Sequence, residues 1–581
     1  MHEAPTHKFD RWLRSAQRFE EEWRRKNQLC FEYYDNEQWT PEEQDQIEER
    51  GQQPTVLNTI RPTVDMVCAQ EVERRCDFQV VGREESDAAK ADLMTALLKH
   101  VFDTCNFDYY HSICFKEALI GGRSWIECRV RTDERGKDMV EVEKVPWENV
   151  YLDPYSRKPD GSDARFIIKI KWIDRDVLKM LFPEKEEQID STFDDDYQGQ
   201  EYEAQNEASD RGQEWYYDAK NQRVKVCECW YSVPVRESVK ILNEVTGKQE
   251  TKKIVKNKIH FVIFSDDIIL QGSEDNDSLN VNPLGVDVYP LIPIYCMRDR
   301  NGRPCGIVQG LISIQDQINK LNSKFLWAVA VNRVIVEEGA VRDENELREE
   351  MQKPDGLAIL NEGGLSKMRV DDKYRDLSYM SNHLNFLLAT EQRISGVNDS
   401  MLGIGGTNER SGIMQSTRIT QGAAMQTTIL ENLHFSKRQI AMVLLRLIGK
   451  FYTDYRVVRI TQPNGLTDNF EFNQVEVDEN GNRTGRILNK IEDSLYYDVV
   501  LKKVPPFNSL RERQLTIFAE ILKSNVIPAP IAGKMMLLFA DIPEKQNLIL
   551  ELENFYQAQA QAQAAQAQAA AAAEQGMAPQ G

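Results

Sequence analysis

The sequence has no apolar run that approaches the roughly 18 residues a membrane-spanning helix needs. Its beginning, Met-His-Glu-Ala-Pro, lacks the basic and apolar regions of a signal peptide. We therefore expect no membrane partner and synthesis in a cytoplasm. The 581 residues, of which 41% are hydrophobic and 28% charged, are typical of a folded chain with room for about three or four domains.

The motifs of common catalytic sites are also missing. No Gly-Lys pair is followed by Ser or Thr, which excludes a P-loop, and neither G-x-S-x-G nor H-E-x-x-H occurs. Gly403-Ile-Gly405-Gly406 resembles half of a dinucleotide fingerprint, but it does not follow a buried strand at the required spacing. We therefore expect no catalytic residue, no cofactor and no metal.

One acidic run keeps an enzymatic alternative open. A divalent metal needs carboxylates that converge from several elements, and Asp194-Asp-Asp196 offers three in sequence. The run lies within 184–218, which is rich in Asp, Glu, Gln and Tyr and poor in aliphatic residues. We interpret 184–218 as a mobile acidic insertion with solvated charges.

Cysteine pairs at metal or redox spacing are absent. The ten cysteines include no C-x-x-C motif, and the seven histidines are scattered. Cys227 and Cys229 flank Glu228 in an alternating strand pattern, which predicts that both thiols share one face. We expect reduced thiols in a reducing compartment.

The chain has fewer basic than acidic residues. It contains 72 Lys and Arg and 93 Asp and Glu, which gives a net charge of −21. Binding to nucleic acid through a general basic surface depends on Lys and Arg that replace counterions at phosphates. The composition argues against such binding. It does not exclude DNA nearby, because an acidic wall repels DNA and does not grip it.

Hydrophobic periodicity predicts a mixed α+β chain. An amphipathic helix is indicated from Phe9 to Trp23, with Arg14, Arg18, Arg24 and Arg25 on its other sides, and residues 27–58 read as irregular apart from a charged helix after Pro41. Further helices are expected after Pro62, at 88–102 and at 109–120, where Gly121-Gly122 ends the last one. Strands are indicated at 124–174, 223–270, 290–295 and 453–504.

A Gly-rich loop at 398–412 leads into a proline-free segment, 413–450. The first half of this segment is polar and nearly uncharged. Its second half carries apolar residues at helical spacing, at Leu433, Ile440, Leu444, Leu447, Ile448 and Phe451. A flexible loop followed by a helix that is polar at one end and core-forming at the other is suited to line a surface along which another molecule moves.

Another helix pattern precedes this loop. Apolar residues recur in steps of 4, 3, 4, 3 and 4 residues, at Ile307, Leu311, Ile314, Ile318, Leu321 and Phe325. This spacing predicts heptad-like packing against neighbouring helices. A short β-containing region, about 330–372, separates this helix from one at 376–395.

The end of the chain reads as helical. After Pro505-Pro506, Ser509-Leu-Arg-Glu512 fits a capping box. Residues 557–573 are almost only Gln and Ala, which favours a helix that has no apolar face to bury. This tail is either a helical extension supported by copies of itself or disordered.

Taken in order, these segments resemble the portal proteins of tailed bacteriophages, most closely those of short-tailed phages, from about residue 27 to residue 555. Each motif that carries the resemblance is short, and their order and spacing make it specific. The motifs are Tyr34-Asp-Asn-Glu-Gln-Trp39, Asn58-Thr-Ile-Arg-Pro62 with Val64-Asp65, Asp160-Gly-Ser-Asp-Ala-Arg165, Arg298-Asp-Arg-Asn-Gly-Arg-Pro304, Gln315-Asp-Gln-Ile-Asn-Lys320, Arg410-Ser-Gly412 and Val504-Pro-Pro-Phe-Asn-Ser509.

The resemblance implies a portal-protein fold assembled as a ring, usually of twelve copies, at one vertex of the capsid. Double-stranded DNA would enter and leave through its axial channel. The implied domains are a wing at 1–304 and 453–504, stem helices at 305–328 and 376–396, a clip at 329–375, a channel loop at 397–411, a long channel helix at 412–452, a crown at 505–555 and the tail at 556–581.

The resemblance also implies partners and a location. The ring would contact the major capsid protein, the terminase packaging motor and tail or head-completion adaptor proteins. It would reside in the virion after synthesis in the cytoplasm of a bacterial host. Two alternatives remain, namely a metal-dependent DNA-processing enzyme and a tail adaptor or scaffold without a DNA channel.

Candidate site residues follow from the loop, the long helix and the stem. Glycines at 403–412 allow the loop to adapt to a moving DNA surface. Arg410 and Arg418 are the expected positive groups near the channel, and the equal alternative is ion pairing with Glu409 or Glu391 between subunits. The candidate DNA-channel residues are Met401, Gly403, Gly405, Gly406, Asn408, Arg410, Gln415 and Arg418, and the stem-packing residues are the six of the heptad-like pattern.

Overall fold

A computed structural model describes most of the chain between residues 7 and 503 and three residues near the end. The described residues are 7–73, 75–82, 88–195, 217–218, 222–242, 249–266, 268–330, 334–350, 357, 359–370, 374–397, 401–402, 421–422, 424, 426–461, 467–477, 483–488, 491, 497–503, 552 and 555–556.

The chain divides into two units by its contacts. One comprises residues 1–70 and 78–501, and the other comprises residues 71–77 and 502–581. In the second unit, Glu71 is buried and lies 3.8 Å from the guanidinium of Arg75. The elements that follow belong mainly to the first unit.

Helices occur along the whole described part of the chain. Their bounds are α1 Lys8–Tyr34, α2 Pro41–Glu49, α3 Ile60–Glu73, α4 Ala88–Thr104, α5 Phe107–Gly121, α6 Arg175–Leu181, α7 Glu186–Asp195, α8 Ile312–Ala330, α9 Glu344–Glu350, α10 Tyr374–Ser395 and α11 Thr427–Phe451.

The strands form one larger sheet and several small ones, and the mixture of helices and strands agrees with the α+β class. Their bounds are β1 Cys76–Gly82, β2 Arg123–Thr132, β3 Asp138–Val145, β4 Val150–Leu152, β5 Phe166–Asp174, β6 Tyr217–Asp218, β7 Arg223–Leu242, β8 Gln249–Ser265, β9 Ile268–Gln271, β10 Leu291–Tyr295, β11 Met297–Arg298, β12 Pro304–Cys305, β13 Val334–Val336, β14 Met368–Val370, β15 Arg456–Thr461, β16 Thr467–Phe472, β17 Gln474–Val477, β18 Arg483–Leu488 and β19 Tyr497–Lys503.

Two of the sheets have more than two strands. The larger one has strand order β4-β5-β7-β8-β9, with β6 beside β7, and the smaller one has order β10-β2-β3. The other strands pair two by two, as β1-β19, β11-β12, β13-β14, β15-β16 and β17-β18. Cys227 and Cys229 lie opposite Ile170 and Ile168 and are buried on one face, as their alternation predicted.

Helix α1 covers the larger sheet with its first half. Phe9 and Leu13 are fully buried against β5, β7 and β8, and the ring of Trp12 stacks on Phe166 with centroids 5.1 Å apart. The second half of α1 enters the main apolar cluster through Trp23 and other side chains. One long helix therefore joins two apolar cores, which its amphipathic spacing made possible.

The prediction of irregular structure at 27–58 is wrong for residues 27–34, because α1 continues to Tyr34. The prediction that Arg24 lies on an outer side of the helix is also wrong, since Arg24 is 4% exposed. Its guanidinium binds Glu20 at 2.9 Å, donates to the carbonyl oxygens of Glu148 and Val150, and covers the ring of Tyr151. Glu20, one turn earlier in α1, neutralises the charge, and the carbonyl oxygens of a distant segment accept the remaining hydrogen bonds.

Several local predictions are confirmed. The expected charged helix is α2, which begins at Pro41, and its capping box of Thr40 and Glu43 was not predicted. Gly122 ends α5 in the left-handed region, with φ of 100°. The tight polar turn after β10 also forms, because the turn 299–303 joins β11 to β12.

The interpretation of 184–218 as a mobile insertion is wrong at its beginning. Residues 186–195 form α7, and Ile189 is buried against α6 and β7 in a small apolar cluster. Asp190 binds both Arg175 and Lys179 of α6. Ion pairs and one apolar anchor are enough to dock this acidic helix. Residues 196–216 lie outside the described residues.

The two sheets are connected by a buried ion pair. Lys169 of β5 and Glu127 of β2 bind each other, and each side chain is 8% exposed. On the opposite face of β5, Phe166, Ile168 and Ile170 belong to the core under α1. Strand β5 therefore separates two buried environments, which its simple alternation of apolar and basic residues did not predict.

The segment that precedes α8 forms backbone hydrogen bonds with the end of α5. The amide of Ile307 donates to the carbonyl oxygen of Leu119 at 2.8 Å, and the amide of Cys296 donates to that of Gly122 at 3.0 Å. A Cβ atom at Gly306 would overlap the carbonyl oxygen of Ile120. Only glycine permits this approach of two backbones.

We expect Gly306→Ala to lower the free energy of unfolding by about 2–4 kcal/mol, because the added methyl forces two hydrogen-bonded backbone segments apart. Thermal and urea denaturation of the purified full chain measure the effect. Gly310→Ala is the matched control, since a Cβ atom there meets nothing within 4 Å. Equal stability of the two variants would contradict the packing described for Gly306.

Candidate functional site

The α-helix of the heptad-like pattern is α8, and it begins at Ile312, later than the pattern indicated. Leu311, Ile314 and Ile318 are buried in the main apolar cluster of the same chain. Ile307, which precedes the helix, and Leu321 pack against that cluster, and Phe325 is half-buried. Helix α8 also packs on α10. Much of the apolar stripe is therefore satisfied within one chain.

A stripe of polar side chains lies beside this apolar face. Gln315, Asn319 and Ser323 follow each other at intervals of four residues, and all three are 2% exposed or less. A buried amide or hydroxyl is costly unless it is hydrogen-bonded. Each of these side chains finds its partners in one extended segment, residues 55–59.

Side chains of α8 form hydrogen bonds with the backbone of the extended segment 55–59, as a neighbouring β-strand would. The side-chain amide of Gln315 donates to the carbonyl oxygen of Leu57 at 2.7 Å and accepts from the hydroxyl of Thr59 at 2.7 Å. Asn319 accepts from the amide of Leu57 at 3.0 Å, and Ser323 accepts from the amide of Thr55 at 3.1 Å. The stripe fixes the segment in one register.

The same stripe reaches the end of α1. The amide of Asn319 donates to Gln38 at 2.6 Å, and the amide of Gln38 donates to the carbonyl oxygen of Tyr33 at 2.7 Å. The hydroxyl of Tyr33 donates to Asp316 on α8. Asn58 closes the arrangement, because its side chain caps the first amides of α3 and donates to the carbonyl oxygen of Tyr34.

Three of the motifs that carry the family resemblance thus meet in space. Segments 34–39, 58–62 and 315–320 form one buried hydrogen-bonded network around α8. Sequence reasoning recognised the motifs but assigned only the apolar residues of α8 a packing role. The available signal was the run of amide and hydroxyl side chains at i, i+4 and i+8 next to apolar positions.

Helix α10 carries a buried carboxyl group close to the start of the predicted channel loop. Glu391 is 4% exposed, and the hydroxyl of Thr63 on α3 lies 3.1 Å from its oxygen. Burial raises the pKa of the Glu391 carboxyl to about 7. Since Glu391 is enclosed within one chain, it presents little surface for ion pairing between subunits.

Burial raises the pKa of Glu391, and a hydrogen bond from Thr63 lowers it by less, because such a bond stabilises the charged carboxylate. The single hydroxyl proton of Thr63 has two acceptors in reach, the carbonyl oxygen of Thr59 at 3.0 Å and Glu391 at 3.1 Å. A protonated carboxyl group can donate to the hydroxyl oxygen, which leaves the hydroxyl proton for Thr59. Both bonds are then made, and no buried charge remains.

Helix α11 confirms the apolar half of the long helical segment. Leu433, Ile440, Leu444, Leu447 and Ile448 are buried, and Phe451 is half-buried. The helix packs on β10 and on β2 and β3. Its second half is thus a core element, and the preceding polar half is described only at residues 421–422, 424 and 426.

Met401 is the one candidate channel residue that the structure describes, and it is 7% exposed. Its role in a channel stays a prediction. The other candidates, Gly403, Gly405, Gly406, Asn408, Arg410, Gln415 and Arg418, lie outside the described residues, as does the motif 504–509.

The described residues can be assessed for metal binding, thiol reactivity and membrane crossing. Among them, no three or more His, Cys, Asp or Glu side chains are placed to hold a metal ion. All ten cysteines are free thiols, and burial raises the pKa of Cys30 and Cys114 to about 12. Within the same part of the chain, no helix combines the length and hydropathy that a membrane crossing requires.

A scan against protein-family models matches residues 10–581 to the phage P22-like portal protein family. The match includes most of α1, the network around α8, and the helices α10 and α11. The chain belongs to the P22-like portal protein family. This membership agrees with the resemblance that the motifs indicated.

A portal protein of Helicobacter pylori bacteriophage KHP30 is a relative. It is 22% identical over 431 residues, which cover 74% of this chain and 64% of the relative. The chain therefore spans somewhat less than two thirds of that portal protein.

We expect Gln315→Leu to lower the free energy of unfolding by about 2–4 kcal/mol, because Leu57 and Thr59 lose buried hydrogen-bond partners. Urea denaturation measures this loss. Gln317→Leu on the exposed side of α8 is the control and should change stability by about 0.5 kcal/mol or less. A similar loss in both variants would argue against the docking role of Gln315.

Glu391→Gln tests the buried carboxyl through pH. The folded pKa of about 7 lies above the ordinary 4.5, so the wild-type chain should lose stability as pH rises from about 4.5 to about 7 and then level off. Glutamine mimics the protonated acid, so the variant should be more stable than wild type at pH 8 by about 1–3 kcal/mol and similar at pH 4.5.

Urea denaturation at the two pH values measures the difference. The exposed Glu362→Gln serves as the control, with little expected change at either pH. A difference between wild type and Glu391→Gln that is the same at pH 4.5 and pH 8 would show that the carboxyl is not protonated in the folded chain.

Proposed function

We propose that the chain assembles into a portal ring at one vertex of a phage capsid and forms the channel for genome entry and exit. The observation that carries this proposal is the match to the P22-like portal protein family along residues 10–581. The relative from bacteriophage KHP30 is itself a portal protein. The chain would have no catalytic step of its own and would act by shape and charge.

The proposed division follows the family. Residues 1–304 and 453–504 form the wing, α8 and α10 the stem, 329–375 the clip, 397–411 the channel loop, 412–452 the channel helix and 505–555 the crown. In this arrangement α8 is anchored to the wing by the segment 55–59. The wing would then hold the stem rigidly while DNA moves past the loop.

Exposed apolar side chains on the stem and clip support assembly with further copies. They are exposed by about half or more, although apolar groups of this size gain free energy when buried. A closed ring covers such a surface on every subunit. These residues are Leu326, Val329, Ile335, Leu357, Ile359, Leu365, Tyr379, Phe386 and Ile394.

The net charge of −21 per chain supports passage of DNA rather than storage on the wall. Each phosphate contact from Lys or Arg adds affinity that movement must break. A ring of acidic subunits keeps such contacts few. The capsid protein, the terminase motor and the tail adaptors are the proposed partners, and the virion is the proposed location.

A variant with a shortened channel loop tests DNA passage separately from ring assembly. If residues 403–411 are replaced by a shorter Gly-Ser linker, we expect a ring with a native mass near 12 × 67.1 kDa, roughly 0.8 MDa. The same variant should package or retain much less DNA than wild type. Native mass spectrometry, projection images and packaged DNA per particle are the measurements.

The control replaces the exposed hairpin turn at 133–137 with Gly-Ser residues of equal length. It should leave both ring mass and DNA content close to wild type. Normal packaging by rings with the shortened loop would contradict a channel role for the loop and favour an adaptor or scaffold without a DNA channel.

A further inference from the structure

The turn at 156–163, which includes part of the family motif 160–165, meets the turn formed by the family motif 298–304, and both lie beside α1. Asp163 holds the first turn, because its carboxylate accepts from the hydroxyl of Ser156 and from the amide of Arg157, both at 2.7 Å. Asp299 holds the second turn, because it accepts from the amides of Asn301 and Arg303 at 2.8 Å. Both turns are therefore rigid frames for the side chains that they carry.

The two turns hold each other through arginine side chains. Arg157 donates to the carbonyl oxygen of Asn301, and Arg298 donates to the carbonyl oxygens of Arg157 at 2.7 Å and Gly302 at 3.2 Å. These acceptors are neutral. Within the described part of the chain, no carboxylate lies at ion-pair distance from Arg157 or Arg298. Arg157 is exposed, and the half-buried Arg298 lies 5.0 Å from the centroid of the Tyr295 ring.

Gly302 shows how closely the two guanidinium groups approach each other. An added Cβ atom there would lie 3.0 Å from Nη1 of Arg157 and 3.1 Å from Nη2 of Arg298. Gly302 also has φ of 82°, which glycine adopts without strain. The turn thus brings two like charges to one spot, an arrangement that an anion stabilises.

A third guanidinium lies at the same place and is buried. Arg123 is 2% exposed and donates from Nη2 to Glu20 at 2.7 Å. Its Nε has no hydrogen-bond partner in the described residues. Glu20 also binds Arg24 at 2.9 Å, so one carboxylate serves two arginines. Burial of an unmatched positive charge is costly unless a counter-ion is present.

These groups line one small cavity of about 30 Å³ that is partly open to solvent. Its positive groups are Arg123, Arg157, Arg298 and Arg303, and Arg303 is paired with Glu22 at 2.9 Å. The carboxylates on its wall are already engaged. Glu20 binds two arginines, and Asp153 accepts from the amides of Tyr155 and Arg165.

We propose that this cavity is a binding site for one small oxyanion group and that its occupant is a carboxylate of a protein segment. A guanidinium pair with a third below it matches the geometry of a carboxylate, which accepts paired N–H bonds. The site is positive although the chain as a whole is strongly acidic, so charge complementarity would select an acidic partner here.

The walls favour a carboxylate over a DNA phosphate. Phe19, Trp23, Leu152, Pro154 and Pro304 also line the cavity and offer apolar surface to the methylene groups of an acidic side chain. A phosphate of duplex DNA is flanked by sugars on both sides. It could not reach the floor at Arg123 without carrying bulky neighbours into a cavity of this size.

The test uses the full chain and two small probes, glutarate and inorganic phosphate, each exchanged for chloride at constant ionic strength. For wild type we expect glutarate to raise the midpoint of thermal unfolding by about 1–3 °C, since a ligand that binds only the folded state stabilises it. Arg298→Gln and Arg157→Gln should each lose most of this shift.

Arg300→Gln is the matched control, because Arg300 lies in the same turn, is exposed and does not line the cavity. It should keep the wild-type shift. A shift with phosphate but none with glutarate would overturn the carboxylate occupant. The absence of any shift, or an equal shift in Arg298→Gln and wild type, would overturn the site.

Discussion

The buried polar stripe of α8 is the constraint on which the structure around this helix depends. Gln315, Asn319 and Ser323 cannot remain buried unless their polar groups are paired, and the segment 55–59 supplies the partners. The segment in turn leads through the cap at Asn58 into α3. One set of hydrogen bonds therefore fixes the relation between a helix and a segment more than 250 residues earlier in the chain.

This constraint has a mechanical consequence for the proposed portal. A helix that carries load beside a moving polymer needs a fixed attachment, and directional hydrogen bonds resist sliding better than apolar contacts alone. Helix α3 extends the attachment to α10 through Thr63 and Glu391. The two proposed stem helices are thus tied to the same N-terminal segment, and in the proposed ring their exposed apolar surface would contact neighbouring copies.

Predictions from local pattern succeeded where the pattern and the environment coincided. The amphipathic start of α1, the charged helix at Pro41 and the end of α5 at Gly122 each depend on a few adjacent residues. They failed where distant partners changed the environment of a residue. Arg24 is charged and flanked by charges, yet Glu20 and two backbone carbonyl groups allow it to be buried.

The sequence by itself determined the α+β class, the positions of most helices and strands, the apolar face of α11 and, through its motifs, the family. Periodicity and cap chemistry are local, so they can be read without coordinates. Only the tertiary structure decided that polar residues of α8 are buried, that Glu391 faces Thr63 and that four arginines line one cavity. Burial and charge compensation depend on which distant segments meet, and no local pattern contains that information.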